Sequence, residues 1–300
     1  MFRFSIIFAI AVLSTSLVAE TIHSFRSQGA EFQDVVSMIR ENLGESYQIE
    51  EHILAADAKY ESFEKILLKN PPKYLLLLDN KSLKFGKQFA SSGLPQSKGI
   101  KGVVTMALNL KDELRNSQKF CGVAFEAPIL RIVTQFQLQT KHKITSVLVL
   151  YRDIFSDVIR EAKQQLAREK VVLNAIKVSD TAGSKELKNL LGKGLKSNDA
   201  VWVLADNILM NRKNFQSVWL NLARNAKKPF LCSVKGLASE EIDFCAFSSY
   251  PNSEELAAQT ANMLQEMVED GGDPRDLGVD HVYSLDSELS KKVLRRIYDD

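Results

Sequence analysis

From residue 21 onward the chain alternates short apolar runs with amphipathic stretches. Residues 21–26 read as a strand, and 31–43 as a helix in which Phe32, Val35, Val36, Ile39 and Leu43 recur at helical spacing. A second strand is predicted at 47–54 and a second helix at 60–69, ended by Pro71 and Pro72. The uncharged run YLLLL at 74–78 has the pattern of a strand buried on both faces of a sheet. A helix at 81–90 and a strand at 102–108 complete the first series. After a joining stretch at 120–128 the order restarts. Strands are predicted at 144–151, 171–178, 200–204, 229–234 and 243–248, with helices at 156–169, 184–191 and 214–225. A long amphipathic helix at 253–269 stops at Gly271-Gly272-Asp273-Pro274, and a short strand at 281–285 and a helix at 287–297 form the tail.

Strands alternating with helices, twice over, predict an α/β protein of two Rossmann-like parallel-sheet lobes. A chain of 300 residues agrees with two domains of roughly 100–200 residues each. Residues 1–19 stand apart from both. Arg3, an apolar run at 4–13 and the small residues of STSLVA have the order of a secretory signal peptide, with cleavage expected after Ala19. A membrane anchor needs about 20 apolar residues, and Ser14, Thr15 and Ser16 break this run. No cysteine precedes Cys121, so a lipid anchor on a processed N-terminal cysteine is not expected. The expected location is a bacterial periplasm.

Composition excludes several classes of function. Lys and Arg total 39 against 37 for Asp and Glu, without the basic excess or stripe of a nucleic-acid binder. His23, His52, His142 and His281 are scattered, with no metal-ligand spacing such as H-E-x-x-H, so no metal site is expected. No G-x-S-x-G, C-x-x-C or G-x-x-x-x-G-K-[ST] occurs. Gly192-Lys193-Gly194 follows a helix rather than a strand and reads as a helix-ending turn. Nothing assembles a nucleophile with a base, so neither catalysis nor a cofactor is expected. Cys232 and Cys245 lie on neighbouring predicted strands; a bridge between them and two reduced, buried thiols are both open. Trp202 and Trp219 read as core.

In open parallel sheets, ligands bind beyond the carboxyl ends of the strands. The polar residues there are Asp79 and Asn80 after YLLLL, Tyr151, Arg152 and Asp153 after SVLVL, Asp206 and Asn207 after VWVLA, and Ser248, Ser249 and Tyr250 after FCAF. Each can instead cap a following helix. Four such clusters facing one cleft favour a ligand.

Residues 119–297 resemble the ABC-transporter substrate-binding family with the type I periplasmic-binding-protein fold, whose members include tryptophan and tyrosine binders. The resemblance rests on CGVAFEAPI at 121–129, SVLVLYRDIFSDV at 146–158, DAVWVLADNILM at 199–210, KKPFLCS at 227–233 and SSYPNSEELAAQTANMLQEMVEDGGDP at 248–274. It implies two lobes, 20–123 plus 249–279 and 124–248 plus 280–300, closing on a small molecule and docking as a monomer on an inner-membrane ABC permease. It implies that Asp206 meets a ligand ammonium while Asn207, Tyr151, Ser156 and Tyr250 complete the cleft; the strand-end residues Asp79, Asn80 and Ser248, and Phe125 and Glu126 of the crossing segment, are further candidates. The sequence departs from the family where Ala124-Phe125-Glu126 follows the crossing valine. The acidic Asp79 and Glu126 would repel a free carboxylate, which suits a more cationic or less amino-acid-like ligand. A sensing or scaffolding module of the same fold is the alternative.

Overall fold

The computed structural model describes residues 20–299, and the expected leader at 1–19 lies outside them. Among the described residues no helix is long and apolar enough to cross a membrane. The first series comprises β1 (Glu20–Ser27), α1 (Ala30–Leu43), β2 (Tyr47–Leu54), α2 (Tyr60–Lys69), β3 (Tyr74–Leu77), α3 (Asn80–Ala90), β4 (Lys101–Val104), α4 (Leu110–Leu114) and β5 (Phe120–Ala124). The second comprises α5 (Ile129–Thr140), β6 (Ser146–Tyr151), α6 (Ser156–Arg168), β7 (Val172–Lys177), α7 (Ser184–Gly194), β8 (Ala200–Val203), α8 (Arg212–Asn214), a π-helical turn (Phe215–Trp219), α9 (Leu220–Asn225), β9 (Phe230–Cys232) and β10 (Phe247–Pro251). The chain then adds α10 (Ser253–Glu269), α11 (Pro274–Leu277), β11 (Val279–His281), β12 (Leu285–Leu289) and α12 (Lys291–Tyr298).

Two six-stranded sheets result, ordered β2-β1-β3-β4-β5-β11 and β7-β6-β8-β9-β10-β12. All pairings are parallel except β10 with β12. Helices cover both faces of each sheet, which is why the central strands are continuous apolar runs. In the first lobe Leu76, Val103 and Val123 pack under α1 and α10, while Leu75, Leu77 and Val104 pack under α2 and α3. Glycine permits close approaches, two of them at Gly122 and Gly194. A Cβ on Gly122 would lie 2.1 Å from the Val104 carbonyl oxygen, and one on Gly194 would lie 2.5 Å from Leu148 Cδ2. Gly194 therefore seats the last turn of α7 against β6 rather than forming the expected turn.

The chain passes between the lobes at 125–128, at 252 and at 282–284. Ser249–Pro251 pair in the second sheet and Val279–His281 in the first, so the lobe boundaries fall a few residues later than expected. Other elements also differ. The strand expected at 102–108 stops at Val104, because the backbone turns left-handed at Met106 and Asn109. The joining stretch at 120–128 holds β5, and α5 follows it unforeseen. The strand expected at 243–248 begins at Phe247, past the left-handed Asp243. The short tail strand is two strands on different sheets, and Ser287, expected in a helix, belongs to β12. Cys232 and Cys245 are bridged, Cys121 is a buried thiol, and both tryptophans are buried.

Candidate ligand cleft

Each sheet changes direction of winding between its first and third strands, β1 and β3 in one lobe and β6 and β8 in the other. Such switch points leave a crevice at the carboxyl ends of the strands. Here both crevices are tied by the protein's own side chains. In the first lobe Asp79 caps α3: its Oδ1 accepts from the Ser82 backbone N–H at 2.6 Å, and its Oδ2 accepts from that of Ser27 at 2.7 Å. In the second lobe Arg152 Nε donates to Asp206 Oδ2 at 2.8 Å, and a second Arg152 nitrogen reaches Asp180 at 3.1 Å. Asp206 Oδ1 accepts from the backbone N–H groups of Ile208 (2.8 Å) and Leu209 (3.1 Å). Asp79 and Asp206, both expected at the cleft, are thus held by cap and ion-pair bonds, and Asp206 is 2% exposed.

Open space lies further along the sheets. A cavity of about 70 Å³ is enclosed by the loop after β4, the crossing after β5, α6 and the ends of β8 and β9. Leu110, Ala127, Ile129, Phe155, Trp202 and Leu204 give it an apolar wall; Asn109, Glu126, Ser233 and His281 bring polar groups. The loop after β4 is fixed by Asn80, whose Nδ2 donates to the Leu108 carbonyl and whose Oδ1 accepts from the Leu108 N–H, each at 2.8 Å. Asn109, left-handed at φ 58°, donates its backbone N–H to Glu126 Oε1 and its Nδ2 across the lobes to the Ile154 carbonyl at 2.7 Å. Its Oδ1 is buried and meets no donor among the described residues. Burial pushes the Glu126 carboxyl up to about 7, against the opposing pull of the Asn109 N–H. Two ion pairs beside the cavity also join the lobes, Lys111 with Glu161 at 2.7 Å and Arg115 with Asp157.

Of the ten residues expected at the cleft, Glu126 lines this cavity and Asn80 positions its loop. The others lie outside its lining. Phe125 and Tyr151 are half-buried against the cores of the first and second lobes. Ser156 donates to Asp153 at 2.8 Å at the start of α6, and Asn207 is exposed. Ser248 is buried and donates to the Val234 carbonyl. Tyr250 donates to Glu288 at 3.3 Å, and burial with that neighbour raises its hydroxyl to about 12. Asn109, Ser233 and His281 were not singled out for the cleft: the expected strand ran through to 108, and nothing local marks the other two. Trp202 is core, as its alternation within AVWVL implied, and cavity wall as well. Away from the cleft, the parallel pairing of β1 with β2 gathers His23, Glu50 and His52, a cluster that their spacing along the chain conceals.

No protein-family model and no curated protein sequence matches the chain. Solved structures do match. A ligand-free, open substrate-binding protein with adhesive properties from Clostridium difficile aligns over 93% of this chain and 95% of its own, at a TM-score of 0.68 and 13% identity. An ABC domain in complex with L-Trp from Streptococcus pneumonia aligns over 93% and 94%, at 0.60 and 16%. A LacI transcriptional regulator from a Rhodococcus species aligns over 90% and 96%, at 0.57 and 12%. These likenesses establish the two-lobed α/β fold of type I periplasmic-binding proteins.

Proposed function

We propose that this chain is the solute-binding component of an ABC-type importer, working in the periplasm, and that its lobes close on a small molecule in the cavity beside Asn109 and Glu126. One observation carries this reading. Asn109 and Glu126 line a mostly apolar chamber that both lobes build, and Asn109 Oδ1 is buried without a donor among the described residues, which costs about 1–3 kcal/mol. A ligand with an apolar body and a hydrogen-bond donor would supply the missing bond, and Glu126 offers a second acceptor. An amino acid or related amine has that chemistry. The space is small beside the roughly 300–1,000 Å³ of typical ligand pockets, so the lobes must part to admit it. Docking on a permease follows from the likeness to transporter binding proteins.

A second reading, a sensing or scaffolding module, is favoured by the occupied switch points, where Asp79 and Asp206 bond within the protein. A thermal-shift screen against amino acids, aromatic compounds, polyamines, nucleosides and sugars separates the two. Ligand at 100 times its dissociation constant adds about 2.7 kcal/mol, a clear rise in Tm. A hit that Asn109→Ala abolishes supports the cavity. Silence across the screen, from folded protein free of carried-over ligand, moves the assignment to the module.

A further inference from the structure

We propose that His23, Glu50 and His52 form a binding site for one divalent transition-metal ion of the zinc class on the flank of the first lobe. This inference stands apart from the solute-binding reading and does not depend on it. In the parallel register of β1 and β2, His23 lies opposite Glu50 and Phe25 opposite His52. Alternation then sends all three side chains to the face covered by α2. One ring nitrogen from each histidine and one carboxylate oxygen lie within 4.8 Å of one another. His52 Nε2 is 3.1 Å from His23 Nδ1, Glu50 Oε2 is 3.3 Å from His23 Nε2, and Glu50 Oε1 is 3.6 Å from His52 Nε2. Ligands at about 2.0–2.1 Å around a tetrahedral ion stand about 3.3–3.4 Å apart. With His23 Nδ1, His52 Nε2 and Glu50 Oε1 as the donors, two sides of the triangle, 3.1 and 3.6 Å, are near that spacing, and closing the third is a matter of turning the Glu50 carboxylate.

The surroundings fit an ion as well. His23 is 1% exposed and His52 half-buried, whereas the Glu50 side chain is 43% exposed and opens the site to solvent. Three protein ligands with one side open leave a position for water. Asn70, at the end of α2, places its Nδ2 3.2 Å from Glu50 Oε2 and 3.4 Å from His23 Nε2, an outer contact that orients both. Two imidazoles with a carboxylate favour zinc, copper or nickel over magnesium or calcium. Bound there, the ion would tie the edge strand β2 to β1.

The test is titration of Zn²⁺ into EDTA-stripped full chain by calorimetry, with Mg²⁺ as the comparison and Co²⁺ absorption as the report on geometry. One zinc per chain, no magnesium binding and the intense visible bands of four-coordinate cobalt are expected. Glu50→Gln, at an exposed position that keeps its shape, should weaken zinc binding, and His52→Ala should abolish it while the circular dichroism stays native. Asn70→Ala should cost about tenfold in affinity. Folded wild type that binds no zinc, or variants that bind it as tightly as wild type, would overturn the site.

Discussion

Glu126 is the one expected cleft residue that lines the cavity, and its protonation is open to measurement. Its carboxyl titrates at about 7 because burial opposes the charge. An unfolded Glu titrates near about 4.3. The folded state therefore holds the proton more tightly, and the stability this residue contributes is complete at acid pH and lost as pH rises through about 7. Glu126→Gln should flatten the pH dependence of Tm and exceed wild type in stability at alkaline pH, by up to ~4 kcal/mol. Identical Tm profiles for the two proteins would refute this. Asp206 works differently. Removing it leaves the buried Arg152 guanidinium with only the exposed Asp180 for a partner, and breaking a buried pair costs up to roughly 3–5 kcal/mol. Asp206→Ala should lower the urea midpoint strongly even in protein that has never met a ligand. A midpoint equal to that of wild type would mean that Arg152 gains nothing from Asp206.

Helix α7 carries two glycines with opposite consequences. Nothing lies within 4 Å of a Cβ placed on Gly192, whereas one on Gly194 would meet the Leu148 side chain at 2.5 Å. Gly192→Ala should raise stability by roughly 0.5–1 kcal/mol through helix propensity. Gly194→Ala should lower it by roughly 1–3 kcal/mol through overpacking. Paired denaturant melts decide it, and shifts of the same sign would show that α7 is not pressed on β6 as described. The central strands were legible in the sequence because burial on both faces demands unbroken apolar runs, as in YLLLL and SVLVLY. Helix α5 carries a helical signal too, since Ile129, Ile132, Val133 and Phe136 share a face, although Pro128 and the crossing motif stand directly before it. Long-range partnerships were not legible. Arg152 meets Asp206 and His23 meets His52 through strand pairing, and no local spacing encodes which strands pair. Of the residues expected at the cleft, Glu126 alone lines the cavity, because others, such as Asp79 and Asp206, are taken up by helix caps or by such partnerships.

Among the described residues the lobes are joined by the Asn109 amide and by the ion pairs of Lys111 with Glu161 and Arg115 with Asp157. Lys111 and Glu161 are partly exposed, so their attraction is modest and screened by salt. Glu161→Lys should shift the population toward open lobes, read as a larger radius of gyration in small-angle X-ray scattering, and Lys111→Glu in the same chain should reverse it. An unchanged radius in the single variant would place the hold between the lobes elsewhere. The three crossings have a separate consequence for how the molecule is completed. Strands β11 and β12, at the edges of different sheets, are separated only by 282–284. The β5 border of one sheet and the β10 border of the other are thus both unpaired until residues 279–289 are in place. One short ribbon borders both sheets, so a disruption at 279–289 would unpair an edge in each lobe at once.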